Sequence, residues 1–345
     1  MIKRTTYAQA ISEATVSAMK GNSDILVMGF GVDDVKGIFG TTLEARKKFG
    51  PERVIGTPAS ENAMTGVAIG AALNGKRPIF VHARNDFMFL ALDQIINNAS
   101  KWKYIYGEQS NVPIVVRGII GKGWGQGPTH SQSIQSVLTH FPGLYVAMPS
   151  TPYIAKGILL KSLEMSVPVI LFEHRRLYDL KEDVPSEEYT LDFGKAKVFR
   201  KGRDATVVAT SIMVQEALKA AKFLSEIGIE IEVIDPISLK PFDEKTVINS
   251  VKKTGYLICA DTSWKACGFA SEISAIVAEK AFSFLKGPIK RIGLPDCPAP
   301  VSKALEDMFY PNFKTIVKNV CELFGKNISE KIRNITEEDK FIGPY

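Results

Sequence analysis

The chain has 345 residues, of which 45% are hydrophobic and 23% are charged, and its formal net charge is +6. These values are typical of a folded globular protein, and the length exceeds that of one usual domain, so we predict two ordered domains and exclude extensive disorder. The positive charge is spread along the chain, which argues against a nucleic-acid-binding protein. The four cysteines have no C-x-x-C spacing, and no apolar run approaches the roughly 18 residues of a membrane helix. We therefore expect a soluble, cytoplasmic protein without a membrane span.

The first part of the chain alternates short apolar strands with helices. We predict strands at 24–29, 53–56, 77–82, 112–117, 144–149 and 168–172, and helices at 5–20, 66–73, 87–104, from about 131 and up to 163. Apolar strands that alternate with helices are typical of a largely parallel sheet covered on both faces. Residues 1–180 are therefore predicted to form one α/β domain.

The composition changes at residues 181–203, which are rich in charge and contain Pro185, Gly194 and Gly202. We interpret this segment as a linker. A second α/β domain is predicted at 204–327, with strands at 204–210, 230–234 and 256–260 and helices at 214–227, 244–252, 270–285 and 311–324. Residues 328–345 are charged and are predicted to be a tail.

Glu61 is the most informative single residue, because it lies at a turn directly before the apolar, small-residue run 66–72. A carboxyl group held against apolar packing can exchange a proton near neutral pH. A structural interpretation is also open, since a carboxylate at the start of a helix is stabilised by the helix dipole.

A glycine-rich loop at 118–127 separates a predicted strand from the residues around His130. The loop has neither the G-x-G-x-x-G spacing of dinucleotide-binding proteins nor a P-loop, so a nucleotide site is disfavoured. A histidine beyond the carboxyl end of a parallel strand lies where open α/β sheets bind ligands, although it could equally be a capping histidine. The few histidines have no zinc-site spacing, so a zinc site is not expected and any metal is left unassigned.

Several motifs in fixed order resemble the beta subunit of thiamine-diphosphate-dependent 2-oxo acid dehydrogenases, a family that includes the pyruvate, acetoin and branched-chain enzymes. The motifs lie at 58–61, 66–72, 93–101, 112–117, 130–133 and 142–144, and the segments 232–235 and 238–243 resemble the transketolase-type C-terminal domain of that family. The resemblance covers about residues 5–325. It implies a pyrimidine-binding domain followed by a transketolase C-terminal-like domain.

The resemblance also implies how the active site is shared. In this family an alpha subunit holds Mg²⁺ and the cofactor diphosphate through a Gly-Asp-Gly motif, which this chain lacks. This chain would therefore bind only the aminopyrimidine end of thiamine diphosphate. Glu61 matches the glutamate that hydrogen-bonds the aminopyrimidine, Phe87 matches the aromatic residue packed against it, and His130 matches the active-site histidine. The expected assembly is an alpha2beta2 heterotetramer, to which a lipoyl-bearing acyltransferase can dock in this family.

The chain departs from the family pattern at two places that affect the ligands. Residues 82–86 are more polar and charged than usual, and His82 and Arg84 are candidates to recognise an anionic group of the substrate. The loop of a structural K⁺ site in the family reads Met165-Ser166-Val167-Pro168 here, so only backbone carbonyl groups remain as K⁺ ligands.

The sequence leaves three functions open. The first is oxidative decarboxylation of a 2-oxo acid with acyl transfer to lipoamide, active only with an alpha subunit. The second is a carboligase or transketolase-like transferase subunit, which passes the acyl carbanion equivalent to an aldehyde or ketone. The third is a non-catalytic assembly subunit.

Overall fold

The computed structural model describes residues 1–122 and 125–327, so the predicted tail at 328–345 lies outside the described residues. The described chain divides into two compact units. The first contains residues 1–122, 129–193 and 238–241, and the second contains residues 125–128, 194–237 and 242–327. Both units are α/β, which confirms the predicted fold class.

The strands and helices alternate along most of the chain. The strands are β1 (Ile2–Thr6), β2 (Ile25–Gly29), β3 (Val54–Gly56), β4 (Arg77–His82), β5 (Val115–Ile120), β6 (Tyr145–Ala147), β7 (Val169–His174), β8 (Lys181–Pro185), β9 (Lys197–Arg200), β10 (Ala205–Ala209), β11 (Ile231–Asp235), β12 (Ser238–Lys240), β13 (Leu257–Trp264) and β14 (Lys290–Leu294). The α-helices are α1 (Tyr7–Gly21), α2 (Leu43–Phe49), α3 (Glu61–Leu73), α4 (Trp102–Ile105), α5 (Gln135–His140), α6 (Pro152–Glu164), α7 (Ile212–Glu226), α8 (Glu244–Thr254), α9 (Phe269–Ala281), α10 (Lys303–Phe309) and α11 (Phe313–Leu323). None of the helices in the described ranges is long and apolar enough to cross a membrane.

In the first unit, the described strands form a seven-stranded sheet in the order β12-β6-β7-β5-β4-β2-β3. All neighbours in this sheet are parallel except β12 and β6. Every residue of β5 and β7 is buried, because helices cover both faces of the sheet centre. The pair β1 and β8 forms a separate antiparallel ribbon, so part of the predicted linker belongs to the first unit.

In the second unit, the described strands form a five-stranded sheet in the order β14-β13-β10-β11-β9. The sheet is parallel except for its edge strand β9, which also lies in the predicted linker. Its core is formed by apolar side chains of β10, α7, β11 and α11. The helix α8 shows why such segments fold locally: the Asp243 side chain accepts a hydrogen bond from Thr246 at its start, and Gly255 adopts a left-handed conformation after its end.

Two predicted helices differ from the observed structure. The predicted helix 87–104 is wrong as one continuous α-helix, because it consists of a 3₁₀ segment (Asn85–Ala91), a π segment (Asp93–Ala99) and the short helix α4. Apolar periodicity cannot distinguish these hydrogen-bond patterns. The helix predicted from about residue 131 begins only at Gln135.

A buried ion pair joins the two central strands β5 and β7. Arg117 Nε and Nη2 donate to the two carboxylate oxygens of Glu173 at 2.5 and 2.9 Å, and Nη2 also donates to Thr41 Oγ1 at 3.0 Å. Tyr178 donates its hydroxyl to the same carboxylate at 2.9 Å. Burial by itself would lower the pKa of Arg117, but the charge of Glu173 holds it above its usual value. The guanidinium therefore stays charged within the sheet.

Removing this guanidinium should destabilise the chain strongly, because Glu173 would be left as a buried carboxylate without its cation. We expect Arg117→Met to lower the free energy of unfolding by about 3–5 kcal/mol. The exposed pair of Arg4 and Asp183 offers a matched control, for which Arg4→Met should cost at most about 1 kcal/mol. Urea unfolding of both variants measures the difference, and equal losses would contradict the interpretation.

Candidate active site

The candidate residues lie at one edge of the seven-stranded sheet. The strands β7, β5, β4, β2 and β3 are neighbours in that order and run parallel, so their carboxyl ends meet at the same edge. Glu61 follows β3, Phe87 follows β4, and His130 follows β5. This is the edge at which open α/β sheets bind ligands.

Glu61 is the first residue of α3 and is partly exposed. Its carboxylate makes no hydrogen bond with the residues that the structure describes, and the side chain of Ser60, which precedes the helix, makes no capping bond. A carboxylate in this position is stabilised by the helix dipole, as the structural interpretation expected. The same position also leaves its oxygens accessible to a ligand.

Gln94 is hydrogen-bonded to the first turn of α3 and was not predicted as a site residue. Its Nε2 atom donates to Asn62 Oδ1 at 3.0 Å, one residue beyond Glu61. A Cβ atom at Gly66 would lie 3.3 Å from Gln94 Oε1, so only a very small residue fits there without displacing the amide. Gly66 therefore allows α3 to approach Gln94 of the segment Asp93–Ala99 closely.

Phe87 and His130 are brought together by the fold. Their ring centroids are 5.4 Å apart and the rings are at 86°, an edge-to-face contact. Both side chains are partly exposed, and His130 Nδ1 lies 2.9 Å from Thr129 Oγ1. One aromatic ring and one imidazole therefore share an accessible position beyond β4 and β5.

Asn85 and Asp86 connect these two strand ends, and sequence reasoning gave them no individual role. Asp86 Oδ1 accepts hydrogen bonds from Gln132 N at 3.2 Å and from Gln132 Nε2 at 2.9 Å. Asn85 Nδ2 donates to Gln132 O at 2.8 Å, and Asn85 Oδ1 accepts from Ile134 N at 3.1 Å. The sequence signal that could have identified these two residues was an Asn-Asp pair between a buried strand and Phe87. These bonds also explain why helix α5 starts late, since the backbone of Gln132 and Ile134 is already engaged.

His82 and Arg84, the candidate substrate residues, are both almost fully buried. Burial lowers the pKa of His82 to about 3, so its imidazole is neutral and offers hydrogen bonding rather than positive charge. Arg84 donates from Nη1 to Gly121 O at 3.4 Å, and its guanidinium lies 5.9 Å from the centroid of Phe39. Arg84 is therefore the charged member of the pair.

His174, at the end of β7, belongs to the same basic region. Burial, together with the charges of Arg176, Arg84 and Lys122, lowers its pKa to about 3. Its Nδ1 accepts a hydrogen bond from Arg176 N at 3.2 Å. A Cβ atom at Gly121 would lie 2.2 Å from His174 Nε2, so this glycine, with φ of +88°, is required for the close approach of the two strand ends. The positive charge of Arg84 is therefore reinforced by its neighbours.

The buried polar atoms near this edge include His82 Nε2 and Ser131 Oγ, neither of which has a hydrogen-bond partner among the described residues; each residue is 2% exposed. Since buried polar atoms are nearly always hydrogen-bonded in native proteins, both atoms fit a site that receives a polar ligand. No group of three or more His, Cys, Asp or Glu residues in the described ranges is arranged to hold a metal ion.

The candidate K⁺ loop at 165–168 is already in contact with a cation, the guanidinium of Arg77. Arg77 Nη1 donates to Leu163 O at 2.8 Å and to Met165 O at 3.0 Å, at the end of α6. These carbonyl groups end a helix and have no intrahelical donor, which explains why they accept from a guanidinium.

Comparison with known families matches both halves of the chain. Residues 3–181 match the family described as "Transketolase, pyrimidine binding domain", and residues 194–316 match "Transketolase, C-terminal domain". A solved structure titled "Split gene transketolase, inactive beta4 tetramer" superimposes with a TM-score of 0.75 over 92% of this chain and 98% of that chain. At 23% sequence identity, this likeness concerns the fold alone.

Named relatives are similar over nearly the whole chain. The beta subunit of acetoin:2,6-dichlorophenolindophenol oxidoreductase from Bacillus subtilis is 40% identical, over 94% of this chain and 99% of the relative. The beta subunit of 2-oxoisovalerate dehydrogenase from Bacillus subtilis is 39% identical, over 89% and 94%. The beta subunit of the pyruvate dehydrogenase E1 component from Rhizobium meliloti is 38% identical, over 92% and 70%.

The buried, neutral histidines predict an acid-sensitive first unit. Unfolded histidine takes up a proton near pH 6.5, whereas His82 and His174 do so only near pH 3, so the unfolded state gains protons first as the pH falls. Stability is then fully present above pH 6.5 and is lost towards pH 3. Between about pH 6 and 4, His82 should make the free energy of unfolding fall by about 1.4 kcal/mol per pH unit. We expect this contribution to be absent in His82→Phe. Urea unfolding at a series of pH values measures this dependence, and His140→Phe, at an exposed histidine, is the control. Identical pH profiles of stability for wild type and His82→Phe would disprove the prediction.

Proposed function

The chain belongs to the transketolase-type family of beta subunits of thiamine-diphosphate-dependent 2-oxo acid dehydrogenases, and from this premise we propose its individual activity. With an alpha subunit, it carries out oxidative decarboxylation of a 2-oxo acid and transfers the acyl group to lipoamide. The proposal is supported by the positions of Glu61, Phe87 and His130 after strands that end at the same edge of a parallel sheet, and by the contact of Phe87 with His130.

The residues at this edge fit the aminopyrimidine end of thiamine diphosphate. Glu61 offers an accessible carboxylate, Phe87 offers an aromatic ring, and the buried Ser131 Oγ offers a polar atom without a hydrogen-bond partner among the described residues. When bound, thiamine diphosphate supplies a carbon nucleophile and an electron sink for decarboxylation. The cofactor diphosphate and Mg²⁺ are assigned to the alpha subunit, since the Gly-Asp-Gly motif is absent from this sequence.

Each residue of the chain has a distinct task in this proposal. Glu61 shares a proton between its carboxylate and a ring nitrogen of the aminopyrimidine, which suits a carboxylate that makes no hydrogen bond with the described residues. Phe87 packs against the pyrimidine and holds His130 through the edge-to-face contact. His130 moves protons at its imidazole near the substrate and the incoming acyl acceptor.

Arg84 and His82 are proposed to orient the substrate. Arg84 supplies positive charge for the carboxylate of a 2-oxo acid, and the neutral His82 supplies a hydrogen bond through Nε2. The nearby Arg176 and Lys122 strengthen the attraction for an anion.

The assembly is proposed to be an alpha2beta2 heterotetramer, because the relatives are named as beta subunits and the site proposed here holds only part of the cofactor. Docking of a lipoyl-bearing acyltransferase follows from the proposed acceptor. The K⁺ site that the resemblance suggested at the end of α6 does not fit the residues present, because the guanidinium of Arg77 already binds the oxygens of Leu163 and Met165 and would repel a second cation. The cytoplasmic location expected from the sequence stays a prediction.

A second candidate function is a carboligase or transketolase-like transferase. The basic region of Arg84, Lys122 and Arg176 supports this function, because its positive charge can also bind an anionic aldehyde or ketone acceptor. A non-catalytic assembly subunit is the weakest candidate, since it gives no reason for the contact of Phe87 with His130 or for the accessible Glu61.

The decisive assay uses the chain reconstituted with its alpha-type partner, thiamine diphosphate and Mg²⁺. Acyl transfer from a 2-oxo acid to lipoamide supports the proposal, whereas activity only with an aldehyde or ketone acceptor supports the transferase. In this assay, Glu61→Ala should lower the rate about 10²–10⁴-fold, because proton sharing with the cofactor is lost. Assembly, measured by light scattering, should be unchanged.

Glu44 provides a matched control for Glu61, because it also lies in the first turn of a helix and is exposed. Glu44→Ala should retain the wild-type rate. A wild-type rate for Glu61→Ala would contradict the proposed role.

The substrate role of Arg84 predicts an effect on KM. Removing the guanidinium in Arg84→Met takes away a charge-assisted interaction with the substrate carboxylate, so KM for the 2-oxo acid should rise about 10-fold or more. The control is Arg291→Met, which removes a partly exposed arginine of the second unit. An unchanged KM in Arg84→Met, with the thermal unfolding temperature retained, would exclude Arg84 from substrate binding.

A further inference from the structure

The segment 129–134, which carries His130, has no helix or strand of its own. Its backbone is held instead by the side chains of Asn85 and Asp86. Asp86 Oδ1 accepts from both the backbone and the side chain of Gln132, two residues after His130. Asn85 engages Gln132 O and Ile134 N. The position of His130 is therefore set by residues that follow a different strand.

These anchoring side chains are protected from water. Asn85 is fully buried and Asp86 is 7% exposed. Asn85 Nδ2 also donates to Asp86 Oδ2 at 3.1 Å, so both carboxylate oxygens of Asp86 are engaged. Hydrogen bonds to a buried charged group are stronger than exposed ones, because water does not compete for them.

The next residue in the chain, Phe87, contacts the His130 ring directly. The tripeptide Asn85-Asp86-Phe87 thus fixes both the backbone of the His130 loop and one edge of the imidazole. A shift of Asp86 would move the loop relative to Phe87, and misplacing a catalytic group by about 1 Å can lower a rate about 10²-fold.

Asp86 does not act as the proton partner of His130 in this arrangement. Its Oδ1 atom accepts from Gln132 and its Oδ2 atom from Asn85, whereas His130 Nδ1 lies beside Thr129 Oγ1. The contribution of Asp86 to His130 is therefore geometric and passes through the backbone of the loop.

We propose that Asp86, supported by Asn85, is a positioning residue that places His130 for proton transfer. The inference rests on the proposed function, because it takes His130 as the active-site histidine. It extends that function because it names Asp86, a buried carboxylate beyond β4, as the residue that holds the His130 loop in place.

Variants at Asp86 test this inference in the reconstituted complex. Asp86→Ala releases Gln132 and should lower kcat about 10²-fold, with little change in KM for the 2-oxo acid. Asp86→Asn keeps an acceptor oxygen for Gln132 and should restore most of the loss. Asp183→Ala removes an exposed carboxylate and should have no effect. A wild-type kcat for Asp86→Ala would overturn the inference.

A double-mutant cycle separates positioning from general destabilisation. If Asp86 acts through His130, Asp86→Ala should add almost nothing to the rate loss of His130→Ala. Independent losses that multiply would overturn the inference. A wild-type rate for His130→Ala would instead refute the proposed function, so the two failures are distinguishable.

A milder variant covers the case in which Asp86→Ala does not fold. Gln132→Ala removes the side-chain donor to Asp86 and leaves the backbone donor in place. Its kcat should fall by less than that expected for Asp86→Ala, and this loss should also vanish in the His130→Ala background. Thermal unfolding of each variant in complex with the alpha-type partner confirms that the fold is intact.

Discussion

The parallel pairing of β4 with β5 is the constraint on which the site depends. The register places His82 beside Gly118, so both strands deliver their following residues to the same edge of the sheet. Asn85, Asp86 and Phe87 then lie within reach of a loop that begins far away in sequence. The neighbouring pair of β5 and β7 is reinforced by Arg117 and Glu173, a buried ion pair that joins the two strands.

The edge combines buried neutral groups with an accessible acid. His82 and His174 are kept neutral by burial, whereas Glu61 stays partly exposed at the start of α3. Positive charge is contributed by Arg84 and its neighbours. This separation suits a site in which a carboxylate exchanges a proton, an arginine attracts an anion and the buried histidines contribute only hydrogen bonds.

The sequence predicted the central strands well because their apolar runs are buried on both faces. It was less successful where side chains from distant segments decide the local structure. The segment after His130 was predicted to be helical, yet Asn85 and Asp86 occupy its backbone groups until Ile134. The helix predicted at 87–104 has the expected apolar residues, but its hydrogen bonding changes from 3₁₀ to π along its length. The antiparallel partner of β8 is the strand β1, and such a long-range pairing leaves little local pattern.

By itself, the sequence determined the alternation of strands and helices, because this alternation depends on local pattern. It also determined the family and the candidates Glu61, Phe87 and His130, because these depend on motifs in a fixed order. Only the tertiary structure decided which of them meet. The contact of Phe87 with His130, the neutral state of His82 and the anchoring of the loop by Asp86 all arise from burial and from pairing between distant strands. Such interactions depend on the distance and dielectric environment of folded neighbours, which no single segment of the chain encodes.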